Sequence, residues 1–465
     1  MKFMLLFGIV FWFVIKAGIS RAHNADKFYR ARFIIETKSD WTRLQIMQGA
    51  EIVNERFTIL AGENAPDLSL KMTSESTIAI NKQQYDETPI AICVDVIFRG
   101  LQADVPLHFE SKMGSMYDTR LKAYNFNADK PKWLKSVVNH NQSVDWTLTF
   151  SISAEQFMQG GPLNVVRAHC DKIALAYYYI WFTPIWFEGK DPSAGASMLD
   201  IHPQIGSYDS SDPEVIWAHV KMAKQAHLDA FAVSWWKDNR PNEILARVIE
   251  IAGKNDLKIT VDIEGLHRSM EDIYQMLHYY LSQYSNDERI LRINNKPILL
   301  IWGTWQYPPE QWRKTFDKLK ENGYEGVYLP SEQMNKNYLS ALDGLDVYGT
   351  INRDLAKLYK TGALACRTFG LLEKDASPKI WSATICPGYD ERLIPNRRGN
   401  FQSRCNGDYY RSTFEAAIDS DPDMLHINSF NELAEHSHIE PMMEDGDFYL
   451  KLTAELVDEF KHLGK

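Results

Sequence analysis

Residues 425–441, LHINSFNELAEHSHIEP, decide how this chain is read. The segment 426–430, His-Ile-Asn-Ser-Phe, has the length and the β-branched and aromatic content of a buried strand. It runs out into Asn431, Glu432 and Glu435. A buried strand that ends in carboxylates is how a parallel α/β barrel presents catalytic groups at its mouth. Glu432 and Glu435 stand three apart, so one turn of helix would aim both at one pocket. Carboxyl pairs are the working parts of glycosidases, one donating a proton while the other stabilises or activates. Taken alone, an ExxE is more often a solvated acidic loop, so its meaning rests on its surroundings.

Those surroundings alternate between strand and helix from about residue 170 to the end. Strand candidates fall at 173–181, 230–236, 258–264, 297–302, 326–330, 344–348, 380–386 and 424–430. Helix starts lie between them: Ser211-Asp212-Pro213-Glu214 sets a cap before a proline suited to the first turn, and Pro241 and Pro308-Pro309 act alike. Asn322-Gly323 stops one helix just before the fifth strand. Eight strands over roughly 290 residues fit a (β/α)8 TIM barrel spanning residues 170–465, since such barrels need about 250. A doubly wound sheet would want a glycine-rich first turn, and no GxGxxG follows Tyr177-Tyr178-Tyr179-Ile180-Trp181.

Before the barrel, residues 27–158 read as an all-β sandwich, with seven or eight short alternating runs such as 91–98 and 146–152 separated by turn residues. Its expected role is either a sugar-binding accessory module or a lid packed on the barrel. Gly160-Gly161-Pro162 marks the boundary. Residues 1–22 read as a signal peptide or uncleaved signal-anchor: Lys2, an apolar run over 3–15, and a Ser20-Arg21-Ala22 cleavage site. Either form sends the rest into the secretory lumen or out of the cell, with the Golgi as destination if the anchor is retained. Asn141-Gln142-Ser143 is a glycosylation sequon. The five cysteines, at 93, 170, 366, 386 and 405, form no CxxC pair, which removes zinc-ribbon and redox motifs. No cofactor is expected. A net charge of −10 argues against nucleic acid and anionic membrane surfaces as partners, leaving membrane contact to the N-terminal anchor alone. Thirteen tryptophans tilt the reading towards sugar, whose apolar ring faces stack on indole.

The ends of the barrel strands share one character. They carry Tyr179 and Trp181, Ser234-Trp235-Trp236, Asp262-Ile263-Glu264, Trp302 and Trp305, Tyr348, Pro387-Gly388-Tyr389-Asp390, and Asn431-Glu432. Aromatics and carboxylates around one rim supply the stacking platforms, hydroxyl acceptors and acids of a sugar cleft. Trp235 and Trp302 are expected to line it.

At this point a resemblance becomes usable. The segment 201–213, IHPQIGSYDSSDP, resembles the GPYSSxDP segment of family-99 glycoside hydrolases, the endo-α-1,2-mannosidases of N-glycan processing. Residues 231–236 resemble that family's second strand, and 259–264 its third, which ends HIEPY. Residues 387–390 with 404–410 resemble the seventh strand and its loop, and 429–435, SFNELAE, is similar to SFNEWxE. The likeness covers about residues 172–460 and leaves the sandwich aside. It implies a retaining glycoside hydrolase cleaving α-linked, manno-configured glycans from within the chain, with participation of the sugar 2-hydroxyl. By it, Glu264 acts on that hydroxyl and Glu435 is the acid/base at the leaving oxygen. Glu432, Tyr348 and Trp235 contact the sugar or tune the acid, with His202 nearby; Asn431, Tyr389 and Trp302 join them as substrate contacts. Leu433 replaces the family's tryptophan and Gly265 its proline, departures that bear on the subsites.

Two other readings compete. His436 and His438 with Glu440 have a spacing used by metal sites, though no third-ligand motif stands out. A secreted glycan-binding protein, an inactive relative of the hydrolases, would need no proton shuttle, and Glu264, Glu432 and Glu435 together argue against it. The oligomeric state is not legible.

Overall fold

The computed structural model describes residues 27–463, apart from 38–40, 49, 62–68, 75–76, 82–89, 103–106, 114–118, 126, 128–131, 140–145, 169–170 and 374–375. The leader, the sequon and Cys170 therefore lie outside the described residues. The other four cysteines are free, with Cys93, Cys366 and Cys386 buried. No helix among the described residues is long and apolar enough to cross a membrane.

The N-terminal part forms ten strands: β1 (Phe28–Thr37), β2 (Trp41–Gln48), β3 (Glu51–Ala61), β4 (Ser69–Ser74), β5 (Thr77–Asn81), β6 (Ile90–Arg99), β7 (Leu107–Met113), β8 (Thr119–Asn125), β9 (Lys132–Asn139) and β10 (Trp146–Ile152). They make two antiparallel five-stranded sheets, ordered β3-β6-β1-β8-β9 and β10-β7-β2-β5-β4. Alternation decides what faces what. In β1 and β6, Phe33, Ile35, Ile92, Val94, Val96 and Phe98 enter the sandwich core with Phe157. The intervening Arg30, Arg32 and Asp95 face the other way. Burial disfavours the Asp95 carboxylate, but hydrogen bonds from Arg32 (2.7 Å) and Arg30 (2.9 Å) hold its pKa below the ordinary range, with Arg56 at 3.2 Å.

The second part holds β11 (Ile173–Tyr179), β12 (Ala230–Trp235), β13 (Lys258–Glu264), the short β14 (Arg292–Ile293) hairpinned to β15 (Lys296–Trp302), β16 (Val327–Pro330), β17 (Gly344–Leu345), β18 (Ile380–Ile385), the small hairpin β19 (Tyr389–Asp390) and β20 (Phe401–Gln402), and β21 (Met424–Ile427). Parallel pairing runs β17-β18-β21-β11-β12-β13-β15-β16. The ring closes where Asp343 N donates to Tyr328 O and Gln333 N to Asp346 O, both at 2.9 Å. This is the eight-stranded TIM barrel, and its closure excludes a doubly wound sheet. Helices start as their caps dictate: the Asp212 side chain accepts from Glu214 N (2.9 Å) ahead of Pro213.

Side-chain parity sorts the barrel into two cores. Ile173, Leu175, Tyr177 and Tyr179 point inward with Ala230, Ala232, Ile298 and Leu300. Ala174, Ala176 and Tyr178 point to the helices with Phe231, Val233, Trp235, Ile259, Val261 and Ile263. Small inward residues on β12 leave room for the large ones on β11. Helix Leu355–Leu372 separates the two parts of the chain. Its Thr368 hydroxyl accepts from Asn54 Nδ2 of the sandwich (3.0 Å), and Leu372 is buried with Phe28 and Ile97.

Candidate active site

The mouth of the barrel encloses a cavity of about 560 Å³. Its walls carry Glu264, Glu432, Glu435, Tyr348, Tyr389 and Trp302, together with Tyr179, Trp181, Trp186, Asp262, Asn428 and Arg397. Six of the nine residues singled out in the sequence thus meet in one space.

The ExxE does not sit on a helix. β21 stops at Ile427, three residues short of the expected strand end, and the chain bends through a hydrogen-bonded turn over 433–436, with His436 N donating to Leu433 O (3.0 Å). The turn is held in place rather than floating: Ser429 Oγ accepts from Glu432 N (2.6 Å), Glu435 O accepts from Asp390 N (2.8 Å), and Ala434 O accepts from Ser197 Oγ (2.5 Å). Both carboxyls then face the cavity.

Their electrostatics differ. Burial pushes the Glu432 carboxyl well above its ordinary range, and the neighbouring Glu435 adds to the push. Glu435 is also raised by burial, but the charge of Arg397, 3.5 Å away, holds it back. Glu264 comes from the opposite wall, at the end of β13. Burial raises it too, while the hydroxyl of Ser234 and the charge of Arg268 favour its ionised form. The aromatic wall is continuous: the Tyr179 and Tyr348 hydroxyls meet at 2.6 Å, the Trp302 and Tyr348 rings cross at 5.1 Å, and Trp181 and Trp186 stack at 6.4 Å.

Three expected contacts are not in the cavity. Trp235 is fully buried on the outer face of β12, its ring stacked on Tyr279 (6.0 Å) and its indole N–H donating to Asn242 Oδ1 (3.1 Å). The reason is parity: Ser234 points inward, so its neighbour must point out. His202 is half exposed and pairs with Glu444 (2.5 Å) away from the cleft. Asn431 is buried and clamps the backbone of β11, accepting from Tyr179 N (2.8 Å) and donating to Tyr179 O (3.0 Å). It positions the ExxE turn rather than lining the site. Trp235→Ala is therefore expected to cost about 3–5 kcal/mol of stability with KM unchanged. Trp302→Phe is expected to do the reverse, raising KM and losing part of the fluorescence change on glycan binding. Urea unfolding and steady-state kinetics on both variants check this.

The proposed metal group also comes apart. Glu440 accepts from Tyr208 OH (3.0 Å) and pairs with His219 Nε2 (3.1 Å), while His436 Nε2 meets Ser197 O (3.3 Å). No cluster of three His, Cys, Asp or Glu side chains suited to a metal occurs among the described residues. Asp262, named among the strand ends without a role, shares the inward face of β13 with Glu264, and Arg397 joins the site from a loop that the sequence reading does not mark. Parity gives the first; nothing in the sequence separates Arg397 from Arg398.

A closed parallel barrel whose mouth sets buried carboxyls against aromatic walls is the architecture of a glycoside hydrolase, and this chain is one. It belongs to Glycosyl hydrolase family 99, which residues 188–460 match. It is similar to the rat (Rattus norvegicus) glycoprotein endo-alpha-1,2-mannosidase, 24% identical over 314 residues that cover 57% of this chain and 67% of that protein. A zebrafish (Danio rerio) glycoprotein endo-alpha-1,2-mannosidase-like protein is 24% identical over 363 residues, 70% of this chain and 81% of its own. Among solved structures, the GH99 endo-alpha-mannosidase from Bacteroides thetaiotaomicron shares the fold with a TM-score of 0.54 and 24% identity, covering 63% of this chain and 98% of that one.

Proposed function

We propose that the protein hydrolyses α-mannosyl linkages within glycans and retains the anomeric configuration through participation of the sugar 2-hydroxyl. The observation that carries this reading is the meeting of Glu264 with the Glu432–Glu435 pair in one cavity, from opposite walls and with different surroundings. Glu435 gives its proton to the leaving oxygen. Glu264, whose anion is favoured by Ser234 and Arg268, takes the proton of the 2-hydroxyl, so that O2 attacks the anomeric carbon and a 1,2-anhydro sugar forms. Glu435, now ionised, takes a proton from a water that attacks the anomeric carbon and breaks its bond to O2, while Glu264 returns its proton to O2, restoring both carboxyls. Glu432, held neutral, hydrogen-bonds the sugar. Trp302, Tyr348 and Tyr389 supply the wall against which it stacks. The names of the similar mannosidases support the choice of sugar. Digestion of a glycan panel with the purified protein, read by mass spectrometry and by proton NMR of the first-formed product, tests it. Internal cleavage of α-mannosides with an α-configured product is expected; a β-configured first product overturns the retaining step.

A further inference from the structure

The stretches 201–213 and 439–441 have no part in that mechanism, yet they meet in the interior of the fold. Glu440 is 2% exposed and ends the excursion of chain that carries Glu432 and Glu435. The base of the excursion is zipped: Ile439 N donates to Ser429 O (3.0 Å) and Glu440 N to Phe430 O (2.9 Å). The Glu440 carboxyl is then held from two sides, by Tyr208 OH on Oε2 (3.0 Å) and by His219 Nε2 on Oε1 (3.1 Å). His219 comes from the helix Pro213–Gln225, and its Nδ1 meets the hydroxyl of Tyr178 from the outer face of β11 at 3.0 Å. Asn431 Nδ2 reaches Tyr208 OH at 3.4 Å. Burial, and after it the charge of Glu440, keeps both tyrosines protonated and able to donate. Tyr178 therefore donates to Nδ1, the imidazole carries its proton on Nε2, and every donor of the chain points towards Glu440.

We propose that Glu440 is a positioning residue: clamped by His219 and Tyr208, it fixes the base of the excursion and so sets where the Glu435 carboxyl meets the leaving oxygen. The proposal rests on the reading above, in which Glu435 is the acid. Both ends of the excursion are held, and the two grips are linked. Asn431 bonds the β11 backbone at Tyr179 where the chain leaves, Glu440 bonds helix and loop where it returns, and Tyr208 bonds both side chains. Removing the carboxyl strands the Tyr208 O–H and the His219 Nε2–H without acceptors in a dry interior, and the chain must shift to satisfy them. A displacement of about 1 Å at a proton donor is enough to cost about 10²-fold in rate. Trp302 and Tyr348, which form the sugar-binding wall, come from other strands and keep their places.

The test sets the full-length protein and its Glu440→Ala, Glu440→Gln and Tyr208→Phe variants against an α-mannosyl glycan and an aryl α-mannoside with an activated leaving group. Glu440→Ala is expected to lower kcat on the glycan by about 10²-fold with KM within about threefold of the wild type. Aryl release in the first step, followed by stopped flow, should fall by less than about tenfold, because that step needs no acid. Glu440→Gln rebuilds the clamp: its carbonyl accepts from Tyr208, its amide donates to Nε2, and the imidazole moves its proton to Nδ1. Its kcat is expected within about fivefold of the wild type. A merely structural role changes the folded fraction alone, so it would lower both substrates by one factor, in step with thermal unfolding. That result, or a wild-type kcat for Glu440→Ala, overturns the proposal. If Glu440→Ala does not fold, Tyr208→Phe decides: a kcat about tenfold lower on the glycan with aryl release unchanged supports the clamp, and equal effects on the two substrates overturn it. Glu435→Gln, run beside them, separates the two levels. If it loses equally on both substrates, the assignment of the acid falls and the proposal with it; if it spares the aryl substrate while Glu440→Ala does not, only the clamp falls.

Discussion

Glu435→Gln is expected to stop turnover of natural glycans, a loss of about 10³-fold or more, while glycan binding survives. The amide keeps the shape of the side chain and its place on the turn anchored by Asp390 and Ser197. What it loses is the proton. A sugar leaving group is a poor one, with an alkoxide to neutralise, so its departure depends on that proton. An activated aryl leaving group does not, and the variant should retain most of the first step on such substrates. Burial raises the Glu435 pKa, which would keep the proposed acid loaded, against the pull of Arg397. The rate on natural glycans should accordingly fall as pH rises through that raised value, and on aryl substrates the alkaline fall should be absent from the first step. Stopped-flow measurement of aryl release against pH, beside steady-state glycan cleavage, reads both. Equal loss on the two substrate classes would falsify the assignment of Glu435 as the acid.

Glu264→Gln should fail on both classes, by about 10²–10⁴-fold, because a neutral amide cannot take the proton of the 2-hydroxyl. The 2-deoxy substrate should likewise bind and not react, since O2 is the nucleophile of the proposed mechanism. Glu264 is suited to the role because Ser234 and Arg268 relieve its anion, whereas burial and Glu435 drive Glu432 furthest towards the neutral form. The four carboxyls of the cavity, Asp262 included, cannot all ionise in one low-dielectric space, and their unlike neighbours set which do. Glu432→Gln is the comparison that decides. If it, and not Glu264→Gln, abolishes cleavage of activated substrates, the base is Glu432 and Glu264 is a sugar contact.

Much of the fold is legible in the sequence. The strand–helix alternation gave eight strands close to where they lie, because buried parallel strands are short apolar runs bounded by caps and turns. The sandwich came out with too few strands, since β4, β8 and β9 are polar enough to pass for loop. Within the site, the residues at the inward ends of strands were legible wherever parity was respected. Glu264 and Trp302 follow it, whereas the expectation for Trp235 runs against the alternation of Phe231, Val233 and Trp235 with Ala230, Ala232 and Ser234. His202 and Arg397 are carried by long loops, whose course is fixed by tertiary hydrogen bonds and leaves no period in the sequence. Asn431 lies beside the site but clamps backbone, because a buried amide bonding two backbone groups looks, in sequence, like any polar residue beside an acid.

Helix Leu355–Leu372 has a consequence for any attempt to dissect the protein. One side of it covers the barrel through Tyr359 and Cys366; the other takes part in an apolar seam with Phe28, Ile97, Val53 and Leu163 through Leu364, Leu371 and Leu372. Such a helix belongs to both halves at once. A barrel cut free at residue 160 would present that seam to water as a sticky stripe, next to an Arg56 partner, Glu373, left without its counter-ion. The sandwich thus covers that seam, and loss of solubility is the first change expected on its removal.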